Sequence, residues 1–509
     1  MSPFFKFNKE NNKNELNKKV LFNNLEKNAR YLKTTFCYPR NKGLIFREIY
    51  VKSINKKANI FFIDGMANDK NIIDHIIYPL SEDISTLKEE AKNIKNIIKA
   101  KDIKELDCFH EIIDDILIGN TIVLIEGHSV GFSVDTSKFE HRQVEKPIRE
   151  NVIKGPQEGF VESSQINLSL LRKRLRNEKL ITERLTIGER SKSVVEIIYI
   201  DDLANSDIVN EVKDRINEIQ ADTIHTIDIL EQHIEERPYS LVPTVLYTER
   251  PDRVAAFLME GHVAVLMDSS SDCLVLPVTF WSLFHTGEDM YQRWAYGNFI
   301  RIIRMISLFI ALLTPSIYIA VSTFHSEMLP TDLLLAITAT RERVPFPVII
   351  EVMIMESAFE LLREAGIRIP TPIGPTIGIV GALILGQAAV EANIVSPILV
   401  IIVALTGLAS FAIPNNSLNF MIRISRFMFL ILSSMLGAFG IMAGIAITVS
   451  YLVSVKSFGV PFLAPLAPYY PSSKDTIFRL PVWMQWIRPA HVKPKNNIRK
   501  KKPRGRSNQ

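Results

Sequence analysis

Cysteine is scarce: Cys37, Cys108 and Cys273 are the only three in 509 residues. They are widely spaced and form no Cys-x-x-Cys pair, which excludes a disulfide framework and a cysteine zinc site. A Walker loop, a His-Glu-x-x-His motif and a Gly-x-Gly-x-x-Gly opening a helix are also missing. Most common enzyme chemistries therefore lack a motif, and neither a metal nor a cofactor is expected. Met1-Ser2-Pro3-Phe4-Phe5-Lys6 runs on into Asn and Lys, with no apolar stretch of secretory length. About the first 300 residues are accordingly expected in the cytoplasm.

Acids are nearly absent from the C-terminal tail. From Lys456 onward 12 Lys and Arg face one acid, Asp475, a balance of 12 − 1 = +11. The remaining 48 basic and 54 acidic residues sum to −6. The tail includes Arg499-Lys500-Lys501-Lys502 and Arg504 and directly follows apolar runs. Anchoring to the anionic lipid leaflet is therefore preferred to binding nucleic acid.

Apolar residues are in excess, at 47% of the chain with a mean hydropathy of +0.11. The excess is concentrated in four uncharged runs: 305–324, 371–390, 394–413 and 427–454. Runs of about twenty apolar residues span a bilayer, and the last, longer one can do so with tilt. A fifth segment, 345–362, is apolar but interrupted by acids. Arg301 and Arg304 put the start of the first span inside, and the basic tail puts the C-terminus inside. Four crossings satisfy both, yet leave Arg423 and Arg426 outside, against the positive-inside rule. Counting 345–362 as a span brings those arginines inside but expels the tail. Four spans plus one membrane-embedded, re-entrant helix is the preferred arrangement.

Before the membrane half, β-like and amphipathic helical runs alternate from about residue 45 to 290. This pattern predicts an α/β or α+β domain in two lobes, followed by an α-helical polytopic membrane domain. The expected divisions are an Asn/Lys-rich flexible arm (1–44), lobes at 45–185 and 186–290, the membrane domain (291–455) and the basic tail (456–509). An internal duplication supports the two lobes. Phe62-Ile63-Asp64-Gly65-Met66-Ala67-Asn68 resembles Tyr199-Ile200-Asp201-Asp202-Leu203-Ala204-Asn205. Further along, Gly119-Asn120-Thr121-Ile122-Val123-Leu124-Ile125-Glu126 parallels Gly261-His262-Val263-Ala264-Val265-Leu266-Met267-Asp268. A cleft between such lobes can bind a ligand, and a duplicated scaffold can equally serve assembly.

Gly127-His128-Ser129-Val130-Gly131 matches the Gly-x-Ser-x-Gly elbow of esterases. An elbow requires a helix directly afterwards, whereas Phe132-Ser133-Val134 reads as another strand, so a hairpin turn is the preferred reading. Lys154-Gly155-Pro156-Gln157-Glu158-Gly159 is a tight turn leading to a helix with Arg172, Lys173, Arg174 and Arg176. Lys154, Gly155, Gly159, Arg172 and Arg174 are candidates for an anion turn or a subunit contact. In the acidic segment, Glu356, Glu360 and Glu364 share one helical face at about 100° per residue, with Glu351 flanking it. Buried carboxylates in a membrane demand water, a partner charge or the protein interior. An ion path, pairing with Arg341, Arg343, Arg363 or Arg368, and a surface helix all remain open. Gly374, Gly378, Ala382 and Gly386, and later Gly440 and Gly444, form stripes of small residues that allow close helix packing, within one subunit or between copies.

Several of these segments together resemble the A subunit of the GerA-type spore germinant receptors. The resemblance rests on Arg149-Glu150-Asn151-Val152-Ile153-Lys154-Gly155-Pro156-Gln157-Glu158-Gly159-Phe160 and on the helix from Asn167 to Leu171-Arg172-Lys173-Arg174. It continues in Arg341-Glu342-Arg343-Val344-Pro345-Phe346-Pro347 and Arg363-Glu364-Ala365-Gly366-Ile367-Arg368. It closes with Ile379-Val380-Gly381-Ala382-Leu383 and Gly386-Gln387-Ala388-Ala389-Val390. Lys154 and Gln157 stand where the family more usually has Arg, and Asn393 where Gly is common. The resemblance implies the inner spore membrane and a transporter-like B subunit and lipoprotein C subunit as partners. It also implies a homo-oligomeric, nutrient-gated cation channel, with an amino acid, sugar or nucleoside germinant acting through the B subunit. A stand-alone secondary transporter and a membrane-anchored esterase using Ser129 are the competing functions.

Overall fold

The computed structural model describes residues 20–82, 94–100, 103–137, 147, 150, 152, 154–368, 384–470 and 475–500. The chain forms two compact units. The first holds 1–235, 247–277 and 486–509, and the second 236–246 and 278–485.

The first unit contains two five-stranded sheets with the same strand order. One runs β1 (Leu44–Val51), β2 (Lys56–Ile63), β4 (Thr121–Ile125), β5 (Gly131–Val134), β3 (Ile103–Leu106). The other runs β6 (Leu180–Ile187), β7 (Ser193–Ile200), β9 (Val263–Met267), β10 (Cys273–Leu276), β8 (Leu246–Thr248). The central strands are rich in Ile, Val and Phe and are buried on both faces. Strand alternation divides them. Phe61, Ile63, Ile122 and Leu124 join one core, together with helices α1 (Leu25–Thr35) and α2 (Phe109–Ile118). Ala58, Ile60, Phe62, Val123 and Ile125 join the opposite core, with Ile72, Ile76 and Leu80.

The duplication extends to matching details. Asn68 caps the short helix Asp69–Ile72 by accepting from Lys70 N at 3.1 Å. Asn205 caps its counterpart, Ser206–Asn217, by accepting from Asp207 N at 3.1 Å. Gly119 and Gly261, which precede the central strands, have φ of 105° and 98°. A Cβ on them would lie 2.9 Å from the Met66 carbonyl oxygen and 3.1 Å from that of Leu203, equivalent residues of the repeat. Glycine is required twice for the same two reasons.

Three expected boundaries differ. The 1–44 arm is not loose throughout: Leu25, Ala29, Leu32 and Phe36 are buried in the first core. The 185/186 division cuts β6, which pairs along its whole length with β7. The basic tail is divided between the units, because 486–500 return to the first one. There Arg488 donates to the carbonyls of Met259, Asn496 and Ile498. Lys495 Nζ donates to Asp201 O, and Arg499 pairs with Glu260 at 2.6 Å.

The second unit is helical. α3 (Trp294–Thr323), α4 (Thr331–Arg341), α5 (Val348–Arg368), α6 (Pro397–Phe411), α7 (Asn416–Leu436) and α8 (Ala438–Ser454) make up most of it. Among the described residues α3 and α7 are long and apolar enough to cross a membrane. The run 427–454, expected as one span, is two helices. Gly437, at φ 59° and ψ −134°, takes the backbone out of helical geometry. α8 then folds back against α7: a Cβ on Gly440 would lie 2.0 Å from Leu432 O, and one on Gly444 2.8 Å from the Phe429 ring. Most of the expected span 371–390 lies outside the described residues, and residues 384–391 are helical.

Candidate functional site

The acidic segment forms α5, and its first acids face inward. Glu351 and Glu356 are fully buried, whereas Ile350, Ile354 and Leu361 on the same helix are 42%, 40% and 71% exposed. The apolar side chains of α5 are divided between the interior and the outside. Val348 and Met355 pack with Tyr318, Ile319, Leu399 and Leu430, while Ile354 looks outward.

Each inward acid meets an arginine. Glu351 accepts from Arg341 Nε at 3.3 Å and from the backbone N–H of Ser396 at 3.2 Å. Ser396 is itself the N-cap of α6, so this carboxylate ties three segments at one point. Glu356 accepts from Arg426 Nη1 at 2.5 Å, with neither side chain more than 1% exposed. Glu360 takes Arg423 in a two-pronged contact through Nε and Nη2. Arg363 lies 3.9 Å from Glu360 and donates to Ser410 Oγ at 2.7 Å. Its guanidinium also lies over the rings of Phe359 and Phe411 at 5.3 and 5.0 Å. Glu364, at the end of the row, is exposed.

Sequence reasoning named Arg341 and Arg363 as pairing candidates but missed Arg423 and Arg426. Those two lie more than sixty residues away in the chain. The signal was their conflict with the positive-inside rule. They sit within helix α7 facing acids, so they are not loop charges of the kind that rule counts.

A second charge cluster lies where α3 begins. Asp289 receives Arg301 Nε at 3.2 Å and Arg304 through Nη1 and Nη2 at 3.1 and 3.2 Å. Arg301 also reaches Asp475, at 2.5 Å. Burial raises the Asp289 carboxyl, but Arg304 and Arg301 outweigh it and hold it below the ordinary carboxylate value.

In the first unit Arg172, Lys173 and Arg174, the helix cations beside the candidate anion turn, are engaged. Lys173 and Arg174 both reach Glu158, at 3.0 and 2.6 Å. Arg172 is buried and joins the two lobes, donating to Asp64 O at 2.9 Å and to Thr182 Oγ1 at 3.2 Å. Burial lowers its guanidinium to about 10. A cavity lined by Phe36, Ile63, Arg172 and Leu180, from both lobes, is about 10 Å³, room for one water. Lys154 and Gly155 are exposed, and Gly159 is buried. Glu150 and Pro156, in the segment before Arg172, are held by residues that sequence reasoning did not single out. Arg250 donates to Glu150 O and Pro156 O, both at 3.1 Å, and Arg253 pairs with the Glu150 carboxylate at 3.0 Å.

Gly127–Gly131 is the turn between β4 and β5, which pair antiparallel. Of the small-residue stripe, Gly374, Gly378 and Ala382 lie outside the described residues. Gly386 faces α6, where its Cβ would meet Val400 at 3.3 Å.

A family model described as Bacillus/Clostridium GerA spore germination protein matches residues 30–491. Spore germination protein KA of Bacillus subtilis (strain 168) is 37% identical over 466 residues, covering 91% of this chain and 86% of that protein. The uncharacterized membrane protein YfkQ of the same organism is 40% identical over 433 residues, covering 85% and 84%. The crystal structure of the N-terminal domain of the A subunit of the Bacillus megaterium spore germinant receptor GerK3 matches with a TM-score of 0.40. Its identity is 24%, and the match covers 52% of this chain and 98% of that one.

Proposed function

Because this chain belongs to the Bacillus/Clostridium GerA spore germination protein family, we propose that it is the A-type subunit of a nutrient-responsive germinant receptor in the inner spore membrane. It would act there with a transporter-like B subunit and a lipoprotein C subunit. The nutrient, an amino acid, sugar or nucleoside, would act through the B subunit. Several copies of the helical unit would together form a polytopic cation channel.

One observation carries the membrane reading: the helical unit buries charged side chains beside its apolar core and exposes large apolar ones. Glu351, Glu356 and Arg426 are inside, while Leu361, Leu408, Phe439 and Met442 are each at least 66% exposed. Water would favour the reverse, whereas lipid favours this arrangement. The pairing bears on the ion path. Glu351, Glu356 and Glu360 would meet ions only when α5 moves against its arginine partners. A nutrient could drive that motion only by binding more tightly to the receptor state in which these pairs are parted. Arg488, Lys495 and Arg499 are held within the first unit, so lipid contact by the tail would fall to its other cations.

The test is nutrient-triggered potassium release from spores carrying the intact gene, a deletion, or Glu356→Gln with Glu360→Gln at matched protein level. Loss of release on deletion for one nutrient, and altered rate or selectivity in the variant, are the expected results. An unaltered variant would remove the acids from the ion path. Unaltered release on deletion, in spores lacking every other receptor, would remove the receptor assignment.

A further inference from the structure

In residues 477–484 the cation points inward and the rings point outward. Arg479 is 3% exposed, whereas Phe478 and Trp483 are each 57% exposed. The segment is pinned to the first turns of α3. Arg479 N donates to Asn298 Oδ1 at 2.7 Å, and the Arg479 carbonyl accepts from Trp294 Nε1 at 2.6 Å. Arg479 Nη1 donates to Asp289 O at 2.6 Å. Beside it α3 presents exposed Arg293, Trp294 and Tyr296. A segment distant in the chain reaches the same end of the helical unit. Tyr239, fully exposed, lies in 236–246, where Arg237 donates to Ser454 O at the end of α8. The end of α8 and the start of α3 meet through 278–284: Val278 N donates to Ser457 Oγ and Arg304 to Phe284 O.

We infer that 477–484 is a membrane-surface anchor, which lays Phe478 and Trp483 in the boundary between lipid headgroups and acyl chains. The inference rests on the membrane reading of the helical unit and gives the tail an apolar foothold that its cations do not supply. Continuity with α3 favours lipid over a protein partner. At about 100° per residue, Tyr296, Phe299, Ile303, Ile306, Ile317 and Phe324 fall on one face of α3, and all six are exposed. Arg301, Arg304 and Leu308 take the opposite, buried face. From Tyr296 to Phe324 that face is roughly 42 Å long at 1.5 Å per residue. A bilayer with its headgroup regions is about 40–45 Å thick. Tyr296 therefore lies at one membrane surface, and the segment pinned beside it lies at the same level. Trp and Tyr, apolar rings with one polar tip, suit that depth. Exposed Arg293 can meet the lipid phosphates there.

The experiment is tryptophan quenching in the full chain, reconstituted in vesicles of phosphatidylcholine and phosphatidylglycerol. The lipids carry bromine either near the headgroup end of the acyl chain or near its middle. The chain has four Trp, and the emission that Trp483→Phe removes is that of Trp483. That emission should be lost to the shallow bromines more than to the deep ones. The reference is Phe309→Trp, made in the Trp483→Phe chain, about 20 Å along α3 from Tyr296. It should be quenched more by the deep bromines; should it fail to fold, Ile306→Trp on the same exposed face replaces it. Quenching of the α3 reporter without quenching of Trp483 would leave the membrane reading standing and overturn the anchor, putting water, a second copy or another protein on this face. Stronger quenching of Trp483 by the deep bromines would place it within the span and overturn the anchor as well. No quenching of either would overturn the membrane reading and the anchor with it.

Discussion

Glu356 and Arg426 meet at 2.5 Å with both side chains out of reach of solvent. Such a pair resists removal of one partner far more than removal of both. Glu356→Gln should destabilise the helical unit by about 3–5 kcal/mol, because Arg426 is left as a buried, uncompensated charge. Glu356→Leu with Arg426→Leu should recover most of that loss. Chemical unfolding of the detergent-solubilised chain would read both. A double variant as unstable as the single one would mean that the pair does not act as a unit.

The matched glycines of the two lobes make a second prediction. Gly119→Ala and Gly261→Ala each force a side chain into left-handed backbone and against a carbonyl oxygen of the turn after β2 or β7. Each should cost on the order of 1–3 kcal/mol. The cost should be local, seen as faster hydrogen exchange in β4 for the first and in β9 for the second. Uniform loss across both sheets would show that the lobes do not behave as separable repeats.

The repeat was legible because it is written in local chemistry: an Asn that caps, a Gly that turns, a β-branched strand between. Asn393 is similar, for its φ of 56° is one that Asn tolerates. Other features were not legible. The 427–454 run contains no charge or proline, so its hydropathy is continuous, and only the φ of Gly437 marks the break. The partners of Glu356 and Glu360 come from a helix distant in sequence, and spacing along one helix cannot report a contact between two. Leu25 and Leu32 were lost in an Asn/Lys-rich context, although their seven-residue spacing puts them on one face of α1.

Gly440→Ala tests the fold-back after Gly437. A methyl there would sit 2.0 Å from a backbone oxygen of α7, which cannot swing aside as a side chain can. α7 and α8 would have to separate, at about 1–3 kcal/mol for overpacking. Gly386→Ala meets only the Val400 side chain at 3.3 Å and should be milder. Protease sensitivity of the α7–α8 connection in detergent should rise for the first and not the second. Equal sensitivity would argue against close α7–α8 contact.

Acid should loosen the first unit through two buried histidines. Burial, reinforced by His491, lowers His262 from 6.5 to about 3, and burial lowers His491 to about 4. His262 Nδ1 lies 2.7 Å from the Pro277 carbonyl oxygen, and its ring meets Phe257 edge-on at 4.9 Å. Between pH 6.5 and 4 the unfolded chain binds protons that the folded chain refuses, so stability falls as pH falls. Each histidine contributes up to about 1.4 kcal/mol per pH unit in that window and nothing above about pH 7.5. Glu231 pulls the other way: burial and the nearby Glu235 and Asp228 raise its carboxyl to about 8. Solvent reaches it, however, which trims its effect. The difference between wild type and His491→Asn cancels Glu231 and isolates the tail histidine. The variant should lose less Tm between pH 7.5 and 5. Identical slopes would mean that His491 takes up its proton without leaving its buried seat.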